Sequence, residues 1–204
     1  MAQTINPTRM ELIRLKGKLK MAKRGHSLLE EKLEGLMQEF LGIIKKTRSL
    51  RQEVEAQLGQ AFQSFIIASA DMRPEVTEEA LAVTTKQIQL QVATKNVMSV
   101  QVPQFQYAES GDFLSYSLAT TSSGLDTSLK TFSDALPKIV ELAQTEHSAR
   151  LLSAEIEKTR RRVNALEFVF VPEIERNVKY ISSKLDEQER GALVSIMRLK
   201  EAMQ

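Results

Sequence analysis

Few residues in this chain have the type and spacing that chemistry needs. His26 and His147 are the only imidazoles in 204 residues, and there is no cysteine. A metal centre requires clustered ligands, and both histidines stand apart from any such group. Gly17-Lys18 lacks the earlier glycine of a phosphate-binding GxxxxGK[ST] loop and falls inside a helical pattern. Nothing in the spacing points to a nucleophile with its base. No catalytic residue, metal ligand or cofactor is therefore expected, and the chain reads as non-catalytic.

What remains is contact chemistry. Arg9, Arg14, Lys16, Lys18, Lys20, Lys23 and Arg24 face a single acid, Glu11, within one short stretch. Arg160, Arg161 and Arg162 form a second basic run. It reads either as a docking contact for acidic residues of a surrounding protein or as a solvated band. Phe168-Val-Phe-Val171 puts apolar bulk on more than one helix face, which calls for a partner beyond the second helix. His26 falls on an apolar stripe, as a register-setting or pH-sensitive polar residue or as an ordinary half-buried one. His147 reads as a surface residue.

The elements that must position these groups are long helices. From Leu12 the apolar residues step 3, 4, 3, 4 through Leu15, Leu19, Ala22, His26, Leu29, Leu33, Leu36, Phe40, Ile43, Thr47 and Leu50 to Val54. Asn6 or Thr8 can cap this helix, with Pro7 tolerated in a first turn, and Pro74 is a plausible stop. Roughly 60 residues give about 90 Å. A second stripe starts near Ser123–Asp126. It runs through Ala149, Leu152, Ile156, Thr159, Val163, Leu166 and Phe170, then on to Ala192, Ile196, Leu199 and Met203. Its phase slips at Ile174, beside Pro172, where a bend is expected. Five glycines (Gly17, Gly25, Gly35, Gly42 and Gly59) lie in the first helix, either as close-approach positions or as tolerated losses.

Between the helices, Glu75–Thr84 reads as a short helix. Gln87–Val92 alternates with period two, Lys95–Asn96 is a candidate hairpin turn, and Ser110-Gly-Asp112 is another turn. Phe113–Ala119 alternates weakly, and Thr120–Gly124 reads as a loop. The fold class is mainly α. The N- and C-terminal helices form a long antiparallel, left-handed two-helix coiled coil, with a small middle region containing a β-hairpin. The segments are 1–72, 73–122 and 123–204. Equal travel from both tips pairs Leu12 with Leu199, Phe40 with Val171, and Val54 with Glu157.

Composition narrows the function. Charged residues make up 26% and aromatics 5%, with a net charge of +2. The basic residues are local rather than a stripe along the chain, so nucleic acid is not an expected partner. No apolar run is long enough to span a bilayer, and no secretory leader is visible, so direct membrane insertion is not expected either. A cytoplasmic location follows as the expectation. The rival to a machine part is a coiled-coil scaffold or membrane-surface tether.

Three stretches carry a family resemblance. They are Pro7-Thr-Arg-Met-Glu-Leu12 with Leu15-Lys-Gly-Lys-Leu19 and Ala22-Lys-Arg-Gly-His-Ser-Leu-Leu29; Asn96-Val-Met-Ser-Val-Gln-Val-Pro103; and Glu157-Lys-Thr-Arg-Arg-Arg-Val-Asn-Ala-Leu-Glu167 with Val171-Pro-Glu-Ile174 and Val178-Lys-Tyr-Ile181. Together they resemble the D subunit of the V-type and archaeal A-type rotary ATPases, with Ser99 standing where glycine is expected. The resemblance implies a central stalk component that couples ATP hydrolysis or synthesis to proton or sodium ion transport. The implied partners are a ring of catalytic A and regulatory B subunits, the small F subunit of the stalk, and a funnel-shaped subunit on the membrane rotor. It places the middle region toward the membrane and makes the complex peripheral to it. It also implies that Arg9, Leu12, Leu15, Leu19, Leu193, Ile196 and Leu199 face an apolar bearing in the ring. Arg160, Arg161 and Arg162 are the candidates for a second ring contact.

Overall fold

Thr8 starts the first helix by accepting a hydrogen bond from the Glu11 N–H at 3.2 Å, so Pro7 stands before the cap rather than in the first turn. The computed structural model describes residues 6–82, 84–112, 114–117 and 121–203. Helix α1 covers Arg9–Ala70 and α2 covers Pro74–Ala82. Strands β1 (Gln87–Val97) and β2 (Val100–Ser110) form an antiparallel hairpin. Helix α3 covers Ser123–Ala165, a single π turn covers Leu166–Phe170, and α4 covers Val171–Ala202. Of the expected weak alternation and loop, Phe113, Leu118, Ala119 and Thr120 lie outside the described residues. Among the described residues no helix is long and apolar enough to cross a membrane.

The chain divides into two compact units, Met1–Gly35 with Ile156–Gln204, and Leu36–Glu155. In the first, the start of α1 packs antiparallel to α4. Arg9 pairs with Glu189 and Lys23 with Glu175, so an advance of 14 residues along α1 matches a retreat of 14 along α4. Leu15, Thr159, Val163 and Ile181 are buried there. The equal-travel register is therefore wrong: α4 runs on past the start of α1, and Leu199 does not lie opposite Leu12. Equal travel takes the tips as flush, whereas every residue from Asp186 to Met203 is exposed.

In the second unit the rest of α1 packs antiparallel to α3. Glu53 bonds to Lys138 at 3.4 Å, Phe62 meets Phe132 edge-to-face at 5.1 Å, and Gly124 lies where a Cβ would sit 3.2 Å from that of Ala68. The same register error appears here, since equal travel pairs Val54 with Glu157, while its neighbour Glu53 faces Lys138. Leu36, Val54, Ala61, Ala68, Leu125, Ala135 and Leu152 are buried, and each fully buried Leu contributes roughly 1.5–3 kcal/mol. Thr47, a polar member of the stripe, satisfies its hydroxyl on the Ile43 carbonyl at 2.8 Å.

The phase slip expected at Ile174 is a π turn a few residues earlier, where Val171 N–H bonds to the Leu166 carbonyl. One extra residue enters the turn, Pro172 follows in the first turn of α4, and Phe170 leaves the stripe to be 56% exposed.

The hairpin turn is Met98–Ser99, not Lys95–Asn96. Both turn residues have positive φ, 48° and 71°, and the pairing Val97 with Val100 fits a two-residue type I′ turn. Asn96 holds it by accepting the Ser99 N–H on Oδ1 at 2.9 Å. Val100 and Val102 are buried. Lys86 secures the strand ends to α3. Its Nζ lies 2.8 Å from Glu109 and donates to Ser133 Oγ at 2.5 Å, while the Tyr107 hydroxyl donates to Glu109 at 2.7 Å.

This network shifts two ionisations. Lys86 and then Tyr107, by hydrogen bonding to its charged form, hold the Glu109 carboxyl below its ordinary 4.5. The Tyr107 phenol is pushed up from 10.0 to about 12, first by its bond to Glu109, then by partial burial and the carboxylate charge. The lowered carboxyl stabilises the fold above pH 4.5, and its contribution is lost as pH falls through the folded value. The raised phenol contributes fully below pH 10, and that contribution is lost as pH rises through about 12.

Two outcomes follow from the hairpin. Ser99→Gly should stabilise the chain by about 1 kcal/mol in urea unfolding, because a side chain at positive φ is strained; a loss of stability would contradict the turn assignment. Glu109→Gln should bring Tyr107 ionisation, followed by tyrosinate absorbance, down from about 12 toward 10.0, and an unchanged titration would show that Glu109 is not its cause.

Candidate partner-binding surfaces

Of the residues singled out in the sequence for contact chemistry, His147 lies in the second unit and the others lie in the first, on α1, α3, the π turn and α4. The candidates for a bearing fall into three groups by what surrounds them. Leu15 is buried and Leu12 and Leu19 are half-buried, so these three fill the seam against α4. Leu193, Ile196 and Leu199 are 57–65% exposed on the part of α4 that extends beyond its pairing with α1. Arg9 stands at the edge between them, paired with Glu189.

The apolar surface at this end is larger than the stripe suggests. Val194, Met197 and Met203 are exposed on α4, and Met10, Ile13 and Met21 are 72–83% exposed on α1. The three α1 residues sit off the 3–4 stepping, and sequence reasoning missed them for that reason. Their signal was there, since an apolar residue outside a seam that already fills one helix face has no intrachain place to go. Large apolar side chains left exposed in this number offer area for another molecule to cover.

Cations border it. Arg14 pairs with Glu11 and Lys23 with Glu175. Lys16, Lys18, Lys20 and Arg24 have no carboxylate partner among the described residues. Arg160, Arg161 and Arg162 are all exposed because Thr159 and Val163, on either side of the run, take the buried face. Arg161 is bound to Glu157 one turn back, leaving Arg160 and Arg162 to point elsewhere. On the π turn, Phe168, Val169 and Phe170 are 56–69% exposed, forming a second apolar patch close in sequence to the arginines.

His26 sits between two carboxylates. Its Nδ1 is 3.2 Å from Glu30, and its Nε2, buried and without a hydrogen bond, is 3.9 Å from Glu167. With Lys23 and Val171 it lines a cleft of about 220 Å³. The two carboxylates approach opposite ring nitrogens, so the three groups do not converge on one point where an ion could sit. His147 is exposed on α3. Among the described residues no three His, Asp or Glu side chains are grouped as a metal site. The arrangement offers apolar area and positive charge to a partner.

Comparison with known proteins gives the chain a family. Residues 11–201 match the family described as the D subunit of ATP synthase. A protein of Acetivibrio thermocellus, named as the D subunit of a V-type ATP synthase, is 49% identical over 203 residues, covering 98% of this chain and 91% of that one. Proteins of the same name from a Thermoanaerobacter species and from Clostridium botulinum are 45% and 44% identical, covering 97% and 100% of this chain and 95% and 97% of theirs. Identity at that level over nearly the whole length takes in both helical units and the hairpin, and the chain belongs to the family of ATP synthase D subunits.

Proposed function

We propose that this chain is the central rotor shaft of a V/A-type ATPase or ATP synthase. It couples ATP hydrolysis or synthesis in a ring of catalytic A and regulatory B subunits to proton or sodium ion transport by the membrane rotor. It carries no catalytic residue of its own. Its further partners are the small F subunit of the stalk and a funnel-shaped subunit on the rotor, and it is cytoplasmic, peripheral to the membrane through the complex. Segments 1–72 and 123–204 act as the shaft, and 73–122 as the knob on the membrane side.

The observation that carries this reading is the bare apolar end of α4, with Leu193, Ile196 and Leu199 exposed beyond the pairing with α1. An axle end seated in an apolar bearing has this character: it slides on apolar contacts that set no preferred angle. Arg9 and the α1 seam residues Leu12, Leu15 and Leu19 support that end, and Arg160, Arg161 and Arg162 supply positive charge to the ring. Coupling needs only that the shaft present different faces to the pockets around it. A ligand then binds most tightly where the face fits best, and differential binding drives the turn.

The test is reconstitution of the full chain with the catalytic ring, tracking a bead attached to this chain. Stepwise ATP-dependent turning is expected, and its absence in an assembled, hydrolysing complex would contradict the rotor reading. Replacing Leu193, Ile196 and Leu199 together by Asp should leave the unfolding of the isolated chain unchanged. It should weaken ring binding by more than about a hundredfold, since each apolar side chain contributes roughly 1.5–3 kcal/mol on full burial. Unaltered ring affinity would remove the α4 end from the bearing.

A further inference from the structure

The hairpin has one edge that a proline interrupts and α3 contacts, and one that the chain leaves open. On β2, Pro103 has no N–H to offer, and the Phe105 N–H donates outward to Gln144 Oε1 of α3 at 2.8 Å. Phe105 therefore turns its backbone donor away from β1, and Pro103, two residues earlier, has none to give to it. The type I′ turn requires the same phase: Val97 and Val100 exchange hydrogen bonds, so the alternate pairs Thr94 with Pro103, Val92 with Phe105, Leu90 with Tyr107 and Ile88 with Glu109 do not. On β1, the N–H and C=O groups of Ile88, Leu90, Val92 and Thr94 consequently face outward. None of them has a partner among the described residues.

That free edge is unlike those that solitary proteins tolerate. Exposed edges are normally blunted by a charge, a proline or a bulge. Gln87–Thr94 contains no charge, no proline and no glycine, and Ile88, Leu90 and Val92 are 46–62% exposed on one face. Four residues with outward ladder groups alternate with four that pair inward, over an uninterrupted register of eleven pairs. Such an edge is a template for an added strand, with main-chain bonds giving affinity and alternate side chains giving selectivity.

We propose that the outer edge of β1 receives an extended segment of another subunit of the assembly, which adds a third strand to the hairpin. The added strand carries apolar residues at alternate positions against Ile88, Leu90 and Val92, and a carboxylate near Lys95. Charge selects this occupant over a second copy of the chain. The only charged side chains from Thr84 to Val97 are Lys86, already matched by Glu109, and Lys95, which has no carboxylate partner among the described residues. Two copies joined antiparallel through the middle of this edge would bring to each Lys95 only a Lys86 already engaged with Glu109, and so no free carboxylate. A segment with an acid there supplies one.

The inference rests on the chain being part of the proposed complex, and its test keeps the two apart. Amide hydrogen exchange is followed for the full chain alone and in the reconstituted, purified complex. Exchange at Ile88, Leu90, Val92 and Thr94 should slow by at least about tenfold on assembly, together with an alternating set of amides in one extended partner segment. Leu90→Pro should abolish that protection while leaving the Val97–Val100 pairing intact, because the N–H it removes is not used by the β1–β2 ladder. Fast exchange at these four amides in an intact complex overturns the inference and leaves the rotor reading standing. Protection that arises in the isolated chain with rising concentration assigns the edge to a second copy and overturns it as well. Failure of any complex to form removes the rotor reading and this inference with it.

Discussion

The antiparallel apolar seam is the constraint on which everything else in this protein depends. In both units α1 is matched along one narrow face by a helix from the C-terminal part of the chain, and the residues on that face are the buried ones: Leu15 with Ile181 in the first, Leu36 and Val54 with Leu152 in the second. The seam supplies the burial energy, but it does not choose its own register, because an apolar stripe repeating every seven residues accepts several offsets. Cross-helix ion pairs make the choice. Arg9 with Glu189 and Lys23 with Glu175 set the first unit, and Lys46 with Glu141 and Glu53 with Lys138 set the second. Each such exposed pair is worth only about 0–1 kcal/mol, so their role is selection rather than strength.

That register leaves the end of α4 without a partner helix. Side chains on the same stripe that packs lower down, such as Ile196 and Leu199, become surface there. The exposed apolar end therefore follows from the offset between α1 and α4 rather than from any change in sequence pattern. A similar release occurs at the π turn. One inserted residue rotates Phe170 off the stripe and leaves Phe168, Val169 and Phe170 facing solvent. Both surfaces are made by interrupting a pattern, and both offer area to a molecule other than this chain.

Much of this was legible in the residues. The 3–4 stepping gave both helices, Thr8 and Pro74 bounded the first, and period-two alternation announced β1. What escaped is what depends on tertiary choice. The offset between the helices is invisible in a stripe that looks the same after each heptad. The hairpin turn was misplaced because Lys95–Asn96 has the more turn-like composition, whereas Met98 and Ser99 adopt positive φ without glycine. Asn96 still takes part, through its side chain, at the turn it does not itself form. Met10, Ile13 and Met21 were overlooked because attention to the seam hides apolar residues lying outside it. Arg160, Arg161 and Arg162 were legible as exposed cations, but Glu157, which occupies Arg161, matters only once the helix is built.

The offset is the claim to test most directly, and the absence of native cysteine makes the experiment clean. Two double variants of the full chain, Arg9→Cys with Glu189→Cys and Arg9→Cys with Ala202→Cys, are treated side by side with a short bismaleimide, which spans the reach of an arginine–glutamate pair. The observed register predicts rapid intramolecular cross-linking of the first pair and none of the second. Efficient cross-linking of the second pair, with the first left uncoupled, would mean that the helix tips are flush and that α4 has no unpaired end.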